Sequence, residues 1–139
     1  MMQLNKERII TLVGIAREAM GKLENYHEIR DEKLLKSSEK LSAIKYQFIV
    51  LIESCIDICN HISAKLYSKV PESYAGCFDT LAQNKVIGKK LAMKMGELAK
   101  FRNVLVHLYW KVDDAEVVRK LLDISQVEDF LREVSKLAA

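Results

Sequence analysis

The sequence predicts an all-α protein, an up-and-down bundle of five to six helices. Three observations carry this expectation. Apolar residues recur at steps of three and four almost from end to end, the period of a helix with one buried face. One proline and five glycines in 139 residues leave too few turn formers for an all-β fold. Half of the residues are hydrophobic, enough to fill a core without disulfides or metals.

The elements follow in order. Ile9, Leu12, Ala16, Ala19, Leu23 and Tyr26 mark a first amphipathic helix. The polar stretch Glu28 to Ser38 is expected as a charged helix end and turn. Leu41, Ile44, Phe48, Leu51, Cys55, Ile58, Ile62 and Leu66 mark a long second helix. Pro71 punctuates the next connection, and Tyr74, Phe78 and Leu81 fit a short third helix. Asn84 to Gly88 is a break. A fourth helix carries Leu91, Met95, Leu98, Phe101, Leu105 and Leu108 on one inward stripe. Asp113 with Glu116 resembles a capping pair ahead of Val117, Val118 and Leu121. Ser125 with Glu128 reads as a capping box ahead of Val127, Phe130, Leu131, Val134 and Leu137. Without repeat, linker or low-complexity segment, residues 1–139 are expected to form one domain.

Composition narrows the function. Charged residues at 29% beside this apolar content exclude a disordered chain. The start, Met1-Met2-Gln3-Leu4-Asn5-Lys6-Glu7-Arg8, has no apolar signal core. The uncharged run from Tyr46 to Ile52 is far too short to span a bilayer. No helix pairs a strongly basic face with an exposed apolar one, so action at a membrane surface is not expected. Three cysteines suit a reducing compartment, and a cytoplasmic location is expected. The net charge of +3 is unevenly placed. Lys89, Lys90, Lys94, Lys100, Arg102 and Lys111 stand against Glu97 alone between Gly88 and Lys111, which makes +5 there and −2 elsewhere. A local positive field attracts phosphates. An ordinary solvated lysine face has the same composition, and charge alone does not choose between them.

The most informative segment is Arg102-Asn103-Val104-Leu105-Val106-His107-Leu108-Tyr109-Trp110. Its polar members are embedded in an apolar helical pattern. Arg102 and Tyr109, seven apart, lie about 20° from one another on a neighbouring stripe of the helix, and Asn103 and His107, four apart, can touch. Arg102 and His107 would be about 140° apart but could converge on one ligand near the helix end. These residue types permit RNA cleavage without a metal. The 2′-hydroxyl attacks the adjacent phosphate, a base takes its proton, an acid protonates the leaving 5′-oxygen, and a cation holds the charged phosphorane. Histidine titrates near neutrality and serves as base or acid. Arginine clamps a phosphate bidentately. Asn103 could orient the imidazole or add a donor to the oxyanion. One histidine cannot be acid and base at once, whereas a two-fold dimer would supply two. Against this stands the ordinary case of a partly buried structural histidine and an arginine paired with an acid.

The motif resembles that of a known family. Arg102 through His107 matches the Arg-x(4–6)-His motif of HEPN domains, and Tyr109 extends it to the Arg-x4-His-x-Tyr signature of the HepT-like branch. Asp57-Ile58-Cys59-Asn60-His61-Ile62 looks like the family's Asp-Ile-x-Asn-His-Ile segment. Pro71-Glu72-Ser73-Tyr74 through Phe78 and Leu81 resembles its next connection and short helix. The likeness runs from about Ile44 to Phe130. It implies a HEPN-like helical bundle and the toxin of a two-gene toxin–antitoxin pair, a homodimer with metal-independent ribonuclease activity. It implies an MNT-type nucleotidyltransferase antitoxin as partner, which silences the nuclease by transferring AMP to the motif tyrosine. Carried over, Arg102 and His107 are catalytic, Asn103 supports them, Tyr109 accepts AMP, RNA is the substrate and no cofactor is required. The alternative is a non-catalytic nucleotide- or partner-binding module that regulates a nucleotidyltransferase.

Glu53, Asp57 and His61 recur every four residues on the long helix. They read either as support for the cleft, with Asp57 orienting Arg102 or a histidine, or as a solvent- or dimer-facing polar stripe. Asn60 could hydrogen-bond across the same cleft. Cys55 and Cys59, one turn apart, lack a second Cys/His pair at zinc spacing and read as core residues, not metal ligands. Trp110 could stack a base, but closing the helix end against the core is the expected role.

Overall fold

The computed structural model describes residues 3–139. Met1 and Met2, which belong to the expected domain and to the reading of the N-terminus, lie outside the described residues. The helices are α1 (Lys6–Glu24), α2 (Asp31–Leu35), α3 (Ser38–Tyr67), α4 (Tyr74–Gln83), α5 (Lys89–His107), α6 (Asp114–Lys120) and α7 (Ile124–Ser135). The described residues contain no strand. Apart from the five-residue turn α2, this is the all-α bundle of six helices that the periodicity predicts.

Starts and stops follow local chemistry. The side chains of Asn5, Ser37 and Ser73 accept hydrogen bonds from the amides of Arg8, Lys40 and Gly76, satisfying donors that a helix start leaves free. Asp113 accepts from the Ala115 amide at 3.0 Å and begins α6. Helix α3 ends where Ser68 turns left-handed at φ 50°.

Helix α3, about 45 Å long at 30 residues, is the spine. It packs against α1, α4 and α5, while α7 meets α1 and α5. Phe48 of α3 meets Phe101 of α5 edge to face at 5.4 Å, and Phe78 of α4 meets Phe130 of α7 at 5.5 Å. Such pairs contribute about 0.5–1.5 kcal/mol beyond their burial. Cys55, Cys59 and Cys77 are fully buried, as the core reading of the first two predicts.

Several expectations are corrected. The polar stretch 28–38 contains α2, because Leu34 drops into the core and anchors one turn of helix. Ser125 and Glu128 do not form a capping box. Leu121–Asp123 is a 3-10 turn that joins α6 to α7, and Asp123 and Ile124 keep right-handed helical backbone, so no chain end exists there to cap. Glu128 pairs instead with Arg17 at 3.0 Å. Leu66 and Leu108 leave their predicted inward stripes and are exposed. Trp110 does not close the helix against the core, since 65% of it faces solvent.

Candidate active site

The polar segment occupies the last turns of α5. Ala92, Met95, Leu98, Ala99, Phe101 and Leu105 bury one face of this helix. That anchoring carries Arg102 to the packed edge of the bundle and His107 into solvent. The Arg102 side chain is only 12% exposed. Its Nε lies 2.8 Å from Oε2 of Glu53 on α3. Both atoms are sealed from solvent, yet the N–H lacks the alignment of a hydrogen bond, so the contact is an ion pair held by distance. Nη1 donates to Oδ1 of Asn103 at 3.0 Å. The guanidinium carbon sits 5.3 Å from the centroid of the Tyr74 ring at the start of α4, a cation–π distance. Among the described residues Nη2 makes no hydrogen bond to protein, which leaves a donor available to an anion.

This arrangement sorts the predicted site residues. Asn103 is turned toward Arg102, not His107, and its amide nitrogen stays free to donate. His107 is exposed as the last residue of α5. Tyr109 does not share a helical stripe with Arg102. Leu108 leaves helical geometry at φ −128°, ψ 39°, and Tyr109–Lys111 forms a separate 3-10 turn closed by the Lys111 amide donating to the Leu108 carbonyl at 2.8 Å. The seven-residue spacing therefore does not place the tyrosine beside the guanidinium. Tyr109 is instead 71% exposed.

The acid that contacts Arg102 is Glu53, and Asp57 stands one turn further along α3. Burial pushes the Asp57 carboxyl above the usual carboxylate range and the Glu53 charge pushes it further, against the pull of Arg8 and Arg102. Asn60 lines a cleft of about 260 Å³ that Tyr74 also borders. His61 is engaged elsewhere: its Nε2 accepts the Asn5 amide at 3.0 Å and braces the start of α1. Burial, then Arg8 and Lys65, hold its pKa below the ordinary value.

Sequence reasoning placed Glu53 on a polar stripe without making it the arginine's partner, and it gave Tyr74 no site role. An acid embedded between Ile52 and Ser54, Cys55 and Ile56 signals a nearby cation, because an unpaired carboxylate there would be costly.

The positive field is smaller than the charge count suggests. Lys94 pairs with Asp123 at 3.4 Å and Glu97 at 3.6 Å, whereas Lys100 and Lys111 are exposed near the Arg102 end. Two larger hollows, about 550 and 710 Å³, flank Gly88 at the opposite end of α5. Among the described residues no three His, Cys, Asp or Glu side chains are grouped to hold a metal ion.

Fold and site together define a class: helical bundles that present an arginine and a histidine, five residues apart, at the end of a packed helix. A family model described as ribonuclease HepT-like matches residues 16–134, and the chain belongs to that family. The mRNA nuclease HepT of Shewanella oneidensis is 36% identical over 61 residues, which make up 44% of this chain and 46% of that protein. The match thus spans about half the length of that curated relative. A solved structure of the tri-AMPylated Shewanella oneidensis HEPN toxin in complex with MNT antitoxin superposes with a TM-score of 0.85 at 22% identity, covering 93% of this chain and 97% of that one. A cytosolic protein of unknown function from Bacillus subtilis, YutE, superposes at 0.84 with 20% identity, covering 98% and 92%. At these identities the superpositions establish the HEPN bundle as the fold.

Proposed function

We propose that this chain acts as one HEPN domain and is the ribonuclease toxin of a toxin–antitoxin pair. The observation that carries the reading is the state of Arg102 and His107. The guanidinium is braced by Glu53, Asn103 and Tyr74 with Nη2 open, and the imidazole stands in solvent at the end of the same helix. Arg102 holds the phosphate and the charge that builds on it. One His107 takes the 2′-hydroxyl proton as that oxygen attacks phosphorus, and a second protonates the departing 5′-oxygen. The products are a 2′,3′-cyclic phosphate and a free 5′-hydroxyl. The second histidine comes from a second copy across a two-fold axis, so the active form is a homodimer. Asn103 supplies a further donor through its free amide. The residues account for the whole proton inventory, and the reaction needs no metal.

The partner is an MNT-type nucleotidyltransferase. It transfers AMP from ATP to the Tyr109 phenol oxygen, releasing pyrophosphate. Support comes from the exposure of Tyr109, the family, and the AMPylated toxin–antitoxin complex of similar fold. The adduct adds negative charge and bulk two residues from His107, where RNA phosphate must approach. Among the described residues no helix is long and apolar enough to cross a membrane, and the reaction belongs in the cytoplasm where RNA is found.

The test is RNA cleavage in chelator by the wild type, Arg102→Ala and His107→Ala. Loss of at least about a hundredfold in both variants is expected. Equal cutting by wild type and His107→Ala removes the histidine from the mechanism. Intact RNA at every wild-type concentration, with the partner complex still forming, favours the non-catalytic regulatory module. After incubation with the nucleotidyltransferase and ATP, a mass gain that survives Tyr109→Phe places the modification elsewhere.

A further inference from the structure

Trp110 is the only tryptophan of the chain, and 65% of it is exposed. A tryptophan ordinarily hides most of its large apolar surface, so this exposure calls for an occupant. The ring also has a defined place in the chain. It sits in the middle of the Tyr109–Lys111 3-10 turn, three residues after His107. It packs edge to face on Tyr109, with centroids 5.3 Å apart and planes at 88°. An edge-to-face contact covers at most one face of either ring, so at least one indole face stays open. Exposed Lys111 follows directly, and exposed Lys100 and the open side of Arg102 lie on the preceding helix.

We propose that Trp110 is a stacking platform for an unpaired nucleobase of the RNA, next to the phosphate held at Arg102 and His107. The proposal rests on the ribonuclease reading and adds to it a site that selects single-stranded substrate. Three residues of chain span at most about 11 Å, so the platform is within a nucleoside's reach of the imidazole. Stacking requires an open π-face. Every base has one when unpaired, and an A-form duplex hides it. The site therefore favours single strands without demanding a particular base. Charge argues for a polyanion as this occupant. Exposed Lys100 and Lys111 and the open side of Arg102 attract the phosphates on either side of such a base.

Because no other tryptophan is present, intrinsic emission reports on this site directly. The probe is a fluorescently labelled single strand of about 10 nucleotides. Its riboses are all 2′-O-methylated, so it lacks the attacking hydroxyl and cannot be cut. Label anisotropy reports binding, and tryptophan emission reports stacking. Saturable quenching of Trp110 is expected in step with binding. It is lost when every nucleotide of the strand is made abasic, and it is absent with the same sequence as a duplex. Trp110→Ala is expected to weaken binding about tenfold, and Trp110→Phe to restore most of it.

Binding without quenching, together with unchanged affinity of Trp110→Ala, overturns the platform and leaves the nuclease reading intact. An emission shift that grows with protein concentration and leaves Trp110 unresponsive to the bound probe assigns the ring to a second copy and overturns it as well. A wild-type protein that neither binds the probe nor cuts RNA overturns the ribonuclease reading itself.

Discussion

Replacing Glu53 with Gln keeps the shape beside Arg102 and removes only the charge. The cost follows from where the pair sits. Fully exposed ion pairs contribute about 0–1 kcal/mol, and breaking a fully buried pair costs about 3–5 kcal/mol. Here the arginine is 12% exposed and the glutamate 38%, so solvent screens one partner and not the other. The new amide oxygen can still accept from the guanidinium, and losing the carboxylate relieves Asp57. These considerations place the loss at about 1–2 kcal/mol. An unfolding entropy of about 2.1 cal/mol/K per residue, applied to this chain, converts that to a Tm lower by about 3–7 °C. The assay is thermal unfolding followed by circular dichroism, for wild type, Glu53→Gln, Arg102→Gln and the double variant. A coupling energy of at least about 0.5 kcal/mol is expected between the two sites. The Tm difference should shrink only partly in about 1 M salt, because the two contacting atoms are sealed from solvent. A single variant within about 1 °C of wild type, with additive double-variant effects, would refute the claim that Glu53 holds the arginine.

Asp57 has a folded pKa raised above its ordinary 3.8, so the folded state carries its charge at a cost. That cost is absent below the unfolded value, sets in as pH rises through the window up to the raised value, and is complete above it. Asp57→Asn should therefore raise Tm at neutral pH and match wild type in strong acid; a lower Tm at neutral pH contradicts the assignment. His61 has the opposite sign. Its folded pKa is depressed below 6.5, so its contribution is full above that value and is lost as pH falls through the window beneath it. Stability should drop on acidification below about 6.5 in wild type and less steeply in His61→Gln, measured as Tm against pH. Burial pushes the Cys55 and Cys59 thiols far up, and Cys77 is also sealed from solvent. A thiol reagent should modify none of the three in the native protein and all three at the rate of unfolding; fast native labelling would show that the core opens locally.

Much of this fold is written along the chain. The apolar stripes of α1, α3, α4 and α5 locate the helices, Pro71 marks the break ahead of α4, and Asp113 supplies a start that α6 uses. These signals are legible because helical hydrogen bonds and caps join residues three and four apart. The failures have physical causes too. Nothing in His107-Leu108-Tyr109, with neither glycine nor proline, announces the end of α5, so the helical period in the sequence runs on to Tyr109, two residues past the true end. At Ser125 the local cap pattern is present, but the chain arrives already helical, and a cap pattern acts only at a chain entering a helix.

By itself the sequence determined that the chain is helical, which residues form most of its core stripes, and that an arginine and a histidine stand five apart near the end of one helix. All of that is set by short-range periodicity. Tertiary structure decided that Glu53 and Tyr74, from two other helices, brace the guanidinium, that His61 serves the start of α1, and that Trp110 faces water. Such contacts depend on how each helix is rotated and set against its neighbours, and that is fixed by packing the whole core together.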